Sequence, residues 1–416
     1  MKRIVILCDG TWNRSDSATP TNVVRFAQAM RPVDPVGVAQ VPVYVQGVGT
    51  GRGPTRWLRG ADAVLGGAFG LGLMDVLVEA YRHLVFLHEP GDEIFVLGFS
   101  RGAYTARSLV GLIRSTGIVD RDALHRIPEA VARYRTLDDP DTHPGSEASH
   151  AFRARISTRV TTSEAERLWR GTEGHPDAAV LRIRYLGVWD SVGALGVPAS
   201  VPVLGHWTAR KHRFHDAALS SMVESARHAV ALDETRRAFA PTRWDNVAAL
   251  NEAAAAAGAD PADPPYRELF FAGDHGSVGG GGDVLDLSSI GLLWVIEGAQ
   301  AAGLGFDARA LQAIRAAQNP HGPLRNRSRP AAGWGERLTR MRPRPRRGPD
   351  AVSQLHSSVL VRYAAEAKGR GFRPYRPASL ARLEAALAEA ARRDGRGGAH
   401  LVTTPAPPRD DPRPAS

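Results

Sequence analysis

The sequence predicts an α/β protein, a mainly parallel sheet flanked by helices. Three observations carry that expectation. Short, uniformly apolar runs recur along the 416 residues, of the length and composition of strands buried on both faces. Each run ends in a polar or glycine-rich loop. A segment with helical spacing of apolar residues follows most of these loops, which is the alternation a parallel sheet requires.

In order along the chain, residues 4–7 (Ile-Val-Ile-Leu) are the first strand, ending in the loop Asp9-Gly10-Thr11-Trp12-Asn13. A helix is expected over 22–30 and a second strand over 41–45, closed by the glycine-rich turn at 47–51. Leu73, Val76, Leu77, Ala80, Tyr81 and Leu84 repeat at helical spacing within 67–87. Pro90-Gly91-Asp92 is a turn. A third strand over 93–97 and a helix over 102–113 follow it. Residues 120–180 are polar and helix-capable, and read as an insertion of cap type between two strands. Strands are expected at 181–189 and 266–272, and an amphipathic helix at 286–302. Residues 1–322 thus form the principal domain. Residues 323–350 read as an Arg/Pro-rich loop, 351–395 as helices packing on the domain, and 396–416 as a disordered tail.

Composition narrows the function. Cys8 is the only cysteine, which excludes a disulfide framework and a cysteine-rich zinc site, and it reads as a packed strand residue. Neither a bilayer-spanning run nor a signal peptide is read: the longest candidate span, 61–77, is interrupted by Asp62 and Asp75. A cytoplasmic protein is expected, with export by a signal-less route open to it. The formal charge is +10, and nine arginines stand against one glutamate over 325–347. That segment is either a solvated loop or a peripheral contact for anionic membrane. Nucleic acid is not expected, since no aromatic residues interleave for base stacking.

Gly98-Phe99-Ser100-Arg101-Gly102 joins a predicted strand to a predicted helix, the context of a nucleophile elbow and of an α/β-hydrolase-like fold. The turn needs neighbours without a Cβ, hence Gly98 and Gly102, and the helix that follows points its unpaired N–H groups at the serine. Ser100 is inert without a base. His275 follows an apolar strand in Gly273-Asp274-His275-Gly276-Ser277, on what reads as a flexible glycine-rich loop. Asp190 ends its own strand in Gly187-Val188-Trp189-Asp190-Ser191 and is the expected acid, with Asp274 and Asp283 as runners-up. The N–H groups of Thr11 and Arg101 are the expected oxyanion donors, with Asp9 and Gly10 supporting the first turn. No cofactor is called for. Two alternatives stay open: a metal-dependent hydrolase using Asp9, Asp190 and His275, and a non-catalytic binding scaffold. An aspartyl-phosphatase motif lacks its second carboxylate at Leu7, and no phosphate-binding lysine follows a glycine-rich loop.

Several segments together resemble an α/β-hydrolase family whose best-known members are type VI secretion phospholipase effectors. They are Cys8-Asp9-Gly10-Thr11-Trp12-Asn13, Gly47-Val48-Gly49-Thr50, Gly98-Phe99-Ser100-Arg101-Gly102-Ala103-Tyr104-Thr105-Ala106-Arg107 and Gly187-Val188-Trp189-Asp190-Ser191-Val192-Gly193. The stretches from Arg227 to Glu234, around His275 and from Leu355 to Val359 extend the likeness over residues 1–380. The resemblance implies nucleophile Ser100, acid Asp190, base His275, and hydrolysis of acyl esters, with phospholipids among the candidate substrates. One departure stands out: Gly276-Ser277 replaces the Ser-Asp usual after the histidine.

Overall fold

The computed structural model describes residues 1–10, 13–47, 68–136, 139–175, 177–193, 218–328, 344–365 and 374–394. Its first half alternates as the sequence predicts: β1 (Arg3–Cys8), α1 (Asn22–Ala29), β2 (Gln40–Val45), α2 (Ala68–Leu87), β3 (Glu93–Phe99) and α3 (Arg101–Thr116). The segment after α3 carries helices α4 (Ile127–Arg135), α5 (Glu147–Ile156) and α6 (Glu164–Thr172) and a small parallel pair, β4 (Val160–Thr161) with β5 (Ala179–Val180). Then come β6 (Ile183–Trp189), β7 (Ala226–Ala231), α7 (Val247–Ala256), β8 (Tyr266–Phe271), α8 (His275–Gly279), α9 (Asp286–Ala301) and α10 (Ala308–Ala316). Helices α11 (Ser357–Ala364) and α12 (Glu384–Asp394) close the described chain.

The central sheet has the order β2-β1-β3-β6-β7-β8, and every pairing in it is parallel. Residue alternation along each strand sorts the core into two layers. Ile4, Ile6, Cys8, Ile94, Val96, Leu186 and Val188 face α2 and α3. Val5, Leu7, Phe95, Leu97, Phe99 and Trp189 face α1 and α9. Cys8 is fully buried in the first layer, and burial pushes its thiol up to about 12, which fits a packing role.

This order reverses direction at β1. The chain goes outward to β2 and returns to β3 on the other side. Such a switch opens a crevice at the carboxyl ends of the two central strands, where open α/β sheets bind ligands. Here those ends carry Asp9-Gly10 and Ser100.

Residues 120–180 pack Ile127, Ala130, Tyr134, Phe152 and Ile156 into the first core layer. Arg153 anchors the segment by donating to the Ser115 carbonyl at 3.2 Å, at the far end of α3 from Ser100. A helix of that length separates the two points by about 22 Å. The C-terminal segment packs Leu355, Val359, Tyr363, Leu380 and Leu387 against Val230 and Phe270 at the β7–β8 edge. Among the described residues no helix is long and apolar enough to cross a membrane.

One central strand escaped the sequence reading. In β7 (Ala-Arg-His-Ala-Val-Ala) the polar pair Arg227-His228 interrupts the apolar run. His228 is nonetheless fully buried, because Glu268 on β8 meets its Nδ1 at 2.9 Å and its Nε2 accepts from the Ser191 N–H at 3.1 Å.

Candidate active site

Each site residue sits where a strand runs out. Ser100 follows β3 directly and precedes α3, at φ 60° and ψ −124°. That region is sparsely populated for a residue with a Cβ and costs on the order of 1–3 kcal/mol, so the surroundings must enforce it. They do so by close approach on both sides. A Cβ on Gly98 would strike the Gly102 backbone, and one on Gly102 would strike the Cys8 and Asp9 carbonyls. Hydrogen bonds from the Ser100 N–H to the Trp189 carbonyl (3.0 Å) and from the Tyr104 N–H to the Ser100 carbonyl (3.3 Å) fix the turn. Asp190 follows β6 in the same way, and among the described residues it is the one other non-glycine with positive φ, at 40°.

His275 comes from the tip of β8. The flexible loop expected there is instead the first turn of the short helix α8, capped by Asp274, whose carboxylate accepts from the Ser277 N–H at 2.9 Å. That hydrogen bond turns Asp274 away from the imidazole. Asp283, the other runner-up acid, accepts from the Ser328 N–H at 3.0 Å. The departure at Gly276-Ser277 also has a structural account. A Cβ at Gly276 would collide with the Asn326 side chain, whose amide donates to the Gly276 and Gly280 carbonyls at 2.9 Å each. Ser277 Oγ lies 3.0 Å from Asp274 and 2.8 Å from the Leu324 carbonyl. Asn326 and Ser277 thus hold the histidine's turn from two sides.

The three side chains meet. His275 Nε2 lies 2.8 Å from Ser100 Oγ, and His275 Nδ1 lies 2.6 Å from Asp190 Oδ2. Phe99 and Phe239 flank the imidazole with ring centroids at 4.6 and 4.7 Å. All three polar residues are buried, with Asp190 fully enclosed. A carboxylate in that position needs several donors. Asp190 has them: the Ala231 N–H at 2.9 Å and Arg346 Nη1 at 2.6 Å on Oδ1, with Arg346 Nη2 at 2.9 Å on Oδ2 beside the histidine. Burial alone would raise this carboxyl's pKa, but Arg346 and His275 overcome it and hold it well below the usual range.

Arg346 is the neighbour of the site that sequence reasoning missed. It lies within the arginine-rich stretch 325–347, read there as a solvated loop or membrane contact. Arg325, Arg327, Arg344 and Arg347 are indeed exposed, but Arg346 is buried and committed to Asp190. An arginine among arginines offers no local signal for that role.

The first turn behaves as a support. Asp9 is buried and accepts from the Gly10 N–H (2.7 Å), Thr21 Oγ1 (2.8 Å) and Tyr44 OH (2.8 Å). Burial raises its pKa against those hydrogen bonds. Its oxygens are occupied away from His275, which counts against the metal site drawn from Asp9, Asp190 and His275. Among the described residues no group of three or more His, Cys, Asp or Glu could hold a metal ion. Of the expected oxyanion donors, Arg101 opens α3 next to Ser100, whereas Thr11 lies outside the described residues. Gly10 keeps its loop close to the serine: a Cβ there would come within 3.2 Å of Ser100 Cβ.

Fold and site define a class: a parallel α/β protein presenting a hydrogen-bonded serine, histidine and aspartate at the carboxyl edge of its sheet. Comparison with known proteins supplies the family. Residues 2–298 match the family described as "T6SS, Phospholipase effector Tle1-like, catalytic domain", and the chain belongs to that family. A curated relative, the uncharacterized protein YEL023C of Saccharomyces cerevisiae, is 26% identical over 253 residues, covering 57% of this chain and 32% of the relative. The chain therefore spans about a third of that relative's length. Two solved structures are similar at 17% identity. One is an uncharacterized protein from Pseudomonas aeruginosa, with TM-score 0.40, covering 76% of this chain and 48% of the other. The second is described as the Tle1 effector bound to the VgrG spike from the type 6 secretion system, with TM-score 0.34, covering 68% and 52%.

Proposed function

We propose that this chain is a serine esterase of lipase type that cleaves acyl esters of lipids, phospholipids among them. The observation that carries the reading is the unbroken chain of hydrogen bonds from Ser100 through His275 to Asp190, on an elbow strained at the serine. The base aligned with Ser100 favours catalysis over a binding scaffold that merely retains the turn.

The steps follow from the donors and acceptors present. His275 Nε2 accepts the Ser100 proton as Oγ bonds to the ester carbonyl carbon, and the carbonyl electron pair moves onto oxygen. The Arg101 N–H at the start of α3 stabilises that oxyanion. The tetrahedral intermediate collapses to an acyl-serine, and the departing alkoxide takes the proton from His275. Water then repeats the sequence and releases the acid. Asp190 stays ionised throughout, orients the imidazole through Nδ1 and balances the imidazolium.

The substrate class and the delivery of the protein through a type VI secretion system, a route that needs no signal peptide, rest on the family. Exposed arginines such as Arg325 and Arg327 are proposed to contact anionic lipid headgroups. Fluorophosphonate labelling tests the chemistry: folded wild type is labelled and Ser100→Ala is not. Rates on short p-nitrophenyl esters, long-chain esters and phosphatidylglycerol vesicles then place the substrate. A folded wild-type protein that resists the label and turns over none of these would overturn the proposal.

A further inference from the structure

The acid of the site is held by a cation from outside the segment that matches the family, since Arg346 lies beyond residue 298. Its guanidinium is bidentate on Asp190, at 2.6 and 2.9 Å, and it also donates to the Ala231 carbonyl at 3.0 Å and to the Phe239 carbonyl. The segment that delivers it is anchored on both sides of the site. The Arg344 N–H donates to the Thr235 carbonyl at 3.0 Å, and Leu355 pairs with Phe270 of β8 ahead of the packed helices α11 and α12. A fork of this kind fixes a carboxylate's plane as well as its charge.

We infer that Arg346 is a positioning residue for the proposed hydrolysis, acting through Asp190 to set the aim of His275. The inference rests on the serine-hydrolase reading above. One consequence follows from the shared oxygen. Asp190 Oδ2 accepts from Arg346 and from His275 together, so the carboxylate cannot swing away from the imidazole while the fork holds it. The histidine's backbone is held separately: the Glu234 carboxylate accepts from the His275 N–H at 3.3 Å and pairs with Arg236 at 2.6 Å. Asp274, which precedes the histidine, is engaged with Ser277.

The test uses the full chain with Arg346→Gln and Arg346→Lys, with kcat and KM measured on a p-nitrophenyl ester. Arg346→Gln is expected to lose about tenfold or more in kcat with KM within about twofold, because a misaimed base costs turnover rather than binding. Arg346→Lys keeps the charge and loses the fork, so its kcat falls several-fold. A glutamine variant with wild-type kcat overturns the inference. Should that variant fail to fold, the lysine variant decides, and wild-type kcat there overturns it equally. Failure of the hydrolase reading itself shows differently, as a folded wild type that fluorophosphonate does not label.

Discussion

Two buried arginine–carboxylate clusters in this molecule look alike and end differently. Between α5 and α6, Glu166 is fully buried and bonded to Arg153 Nε and Arg170 Nη2 at 2.7 Å each and to the Thr162 N–H at 2.9 Å. The arginines also donate to main-chain carbonyls: Arg153 to Ser115 and Pro144, Arg170 to Ser157, Thr158 and Val160. The Thr162 hydroxyl donates straight to the carboxylate at 2.9 Å, and among the described residues no branch of that network runs through an imidazole, so it holds the segment in place. At the sheet edge, Asp190 is equally buried and equally paired, yet one branch leads through His275 to the Ser100 hydroxyl. That branch ends in a hydroxyl within hydrogen-bond reach of a ring nitrogen, on a residue of positive φ. The contrast teaches that burial and ion pairing do not mark a site by themselves. What marks it is a branch ending in a movable proton on a strained residue.

Each network can be cut at the member that distinguishes it. Ser100→Ala is expected to reduce ester turnover by about four orders of magnitude or more, with His275→Ala close behind. Ser100→Ala should leave the melting temperature near that of wild type, and relief of the positive φ at Ser100 acts in the stabilising direction for a glycine variant. Activity within tenfold of wild type in either variant removes the assignment. Glu166→Gln should do the reverse. It strands two buried guanidinium groups without a counter-charge, a loss of about 3–5 kcal/mol of stability, while kcat well below the new melting point stays near wild type. Calorimetry and kinetics on the same preparations separate the two outcomes. A Glu166→Gln protein that melts like wild type would show that the cluster is dispensable.

How much of this was legible beforehand follows a physical rule. The turn at Ser100, the strand tips and the side chains that meet there were readable because each is announced by its own neighbours: an apolar run before, glycines or a helix after. β7 was not, because its Arg227-His228 pair looks polar in isolation. Only Glu268 on the next strand and Ser191 beyond β6 make a buried His228 tolerable. Arg346 and Asn326 were equally hidden. Arg346 reaches a carboxylate 156 positions away, and Asn326 closes a turn 50 positions away. Local pattern reports local constraint, and second partners that arrive from distant segments leave no trace in it.

Acid titration touches both networks, with an effect expected to be smaller than removing either. Glu166 and Asp190 would be raised by burial but are held below the ordinary carboxylate range by their arginines. Glu268, also raised by burial, is brought down to about 2 by His228 and Arg243. Carboxyls with lowered folded-state pKa contribute stability that is complete above their unfolded values, near 4, and is lost as pH falls below them. The melting temperature should therefore hold between about pH 5 and 7 and decline below about pH 4. In Glu268→Gln the decline should be shallower from a lower plateau. An unchanged slope would mean that the carboxyl is not carrying the dependence.

The smallest effect tests whether the proposed catalytic branch needs its scaffolding as tightly as the other does. Asp274 touches neither Ser100 nor Asp190; it caps α8 through the Ser277 N–H and so sets the direction in which His275 leaves β8. Removing such a cap costs about 1 kcal/mol. Asp274→Ala should therefore lower stability by that amount, and kcat should fall several-fold with KM unchanged, because the imidazole spends less time within reach of the serine. Asp274→Asn or Asp274→Ser, which can still accept from the Ser277 N–H, should restore most of both. Rescue by these neutral caps would assign the loss to geometry. Failure of rescue at normal stability would assign it to the charge of Asp274 acting on the histidine.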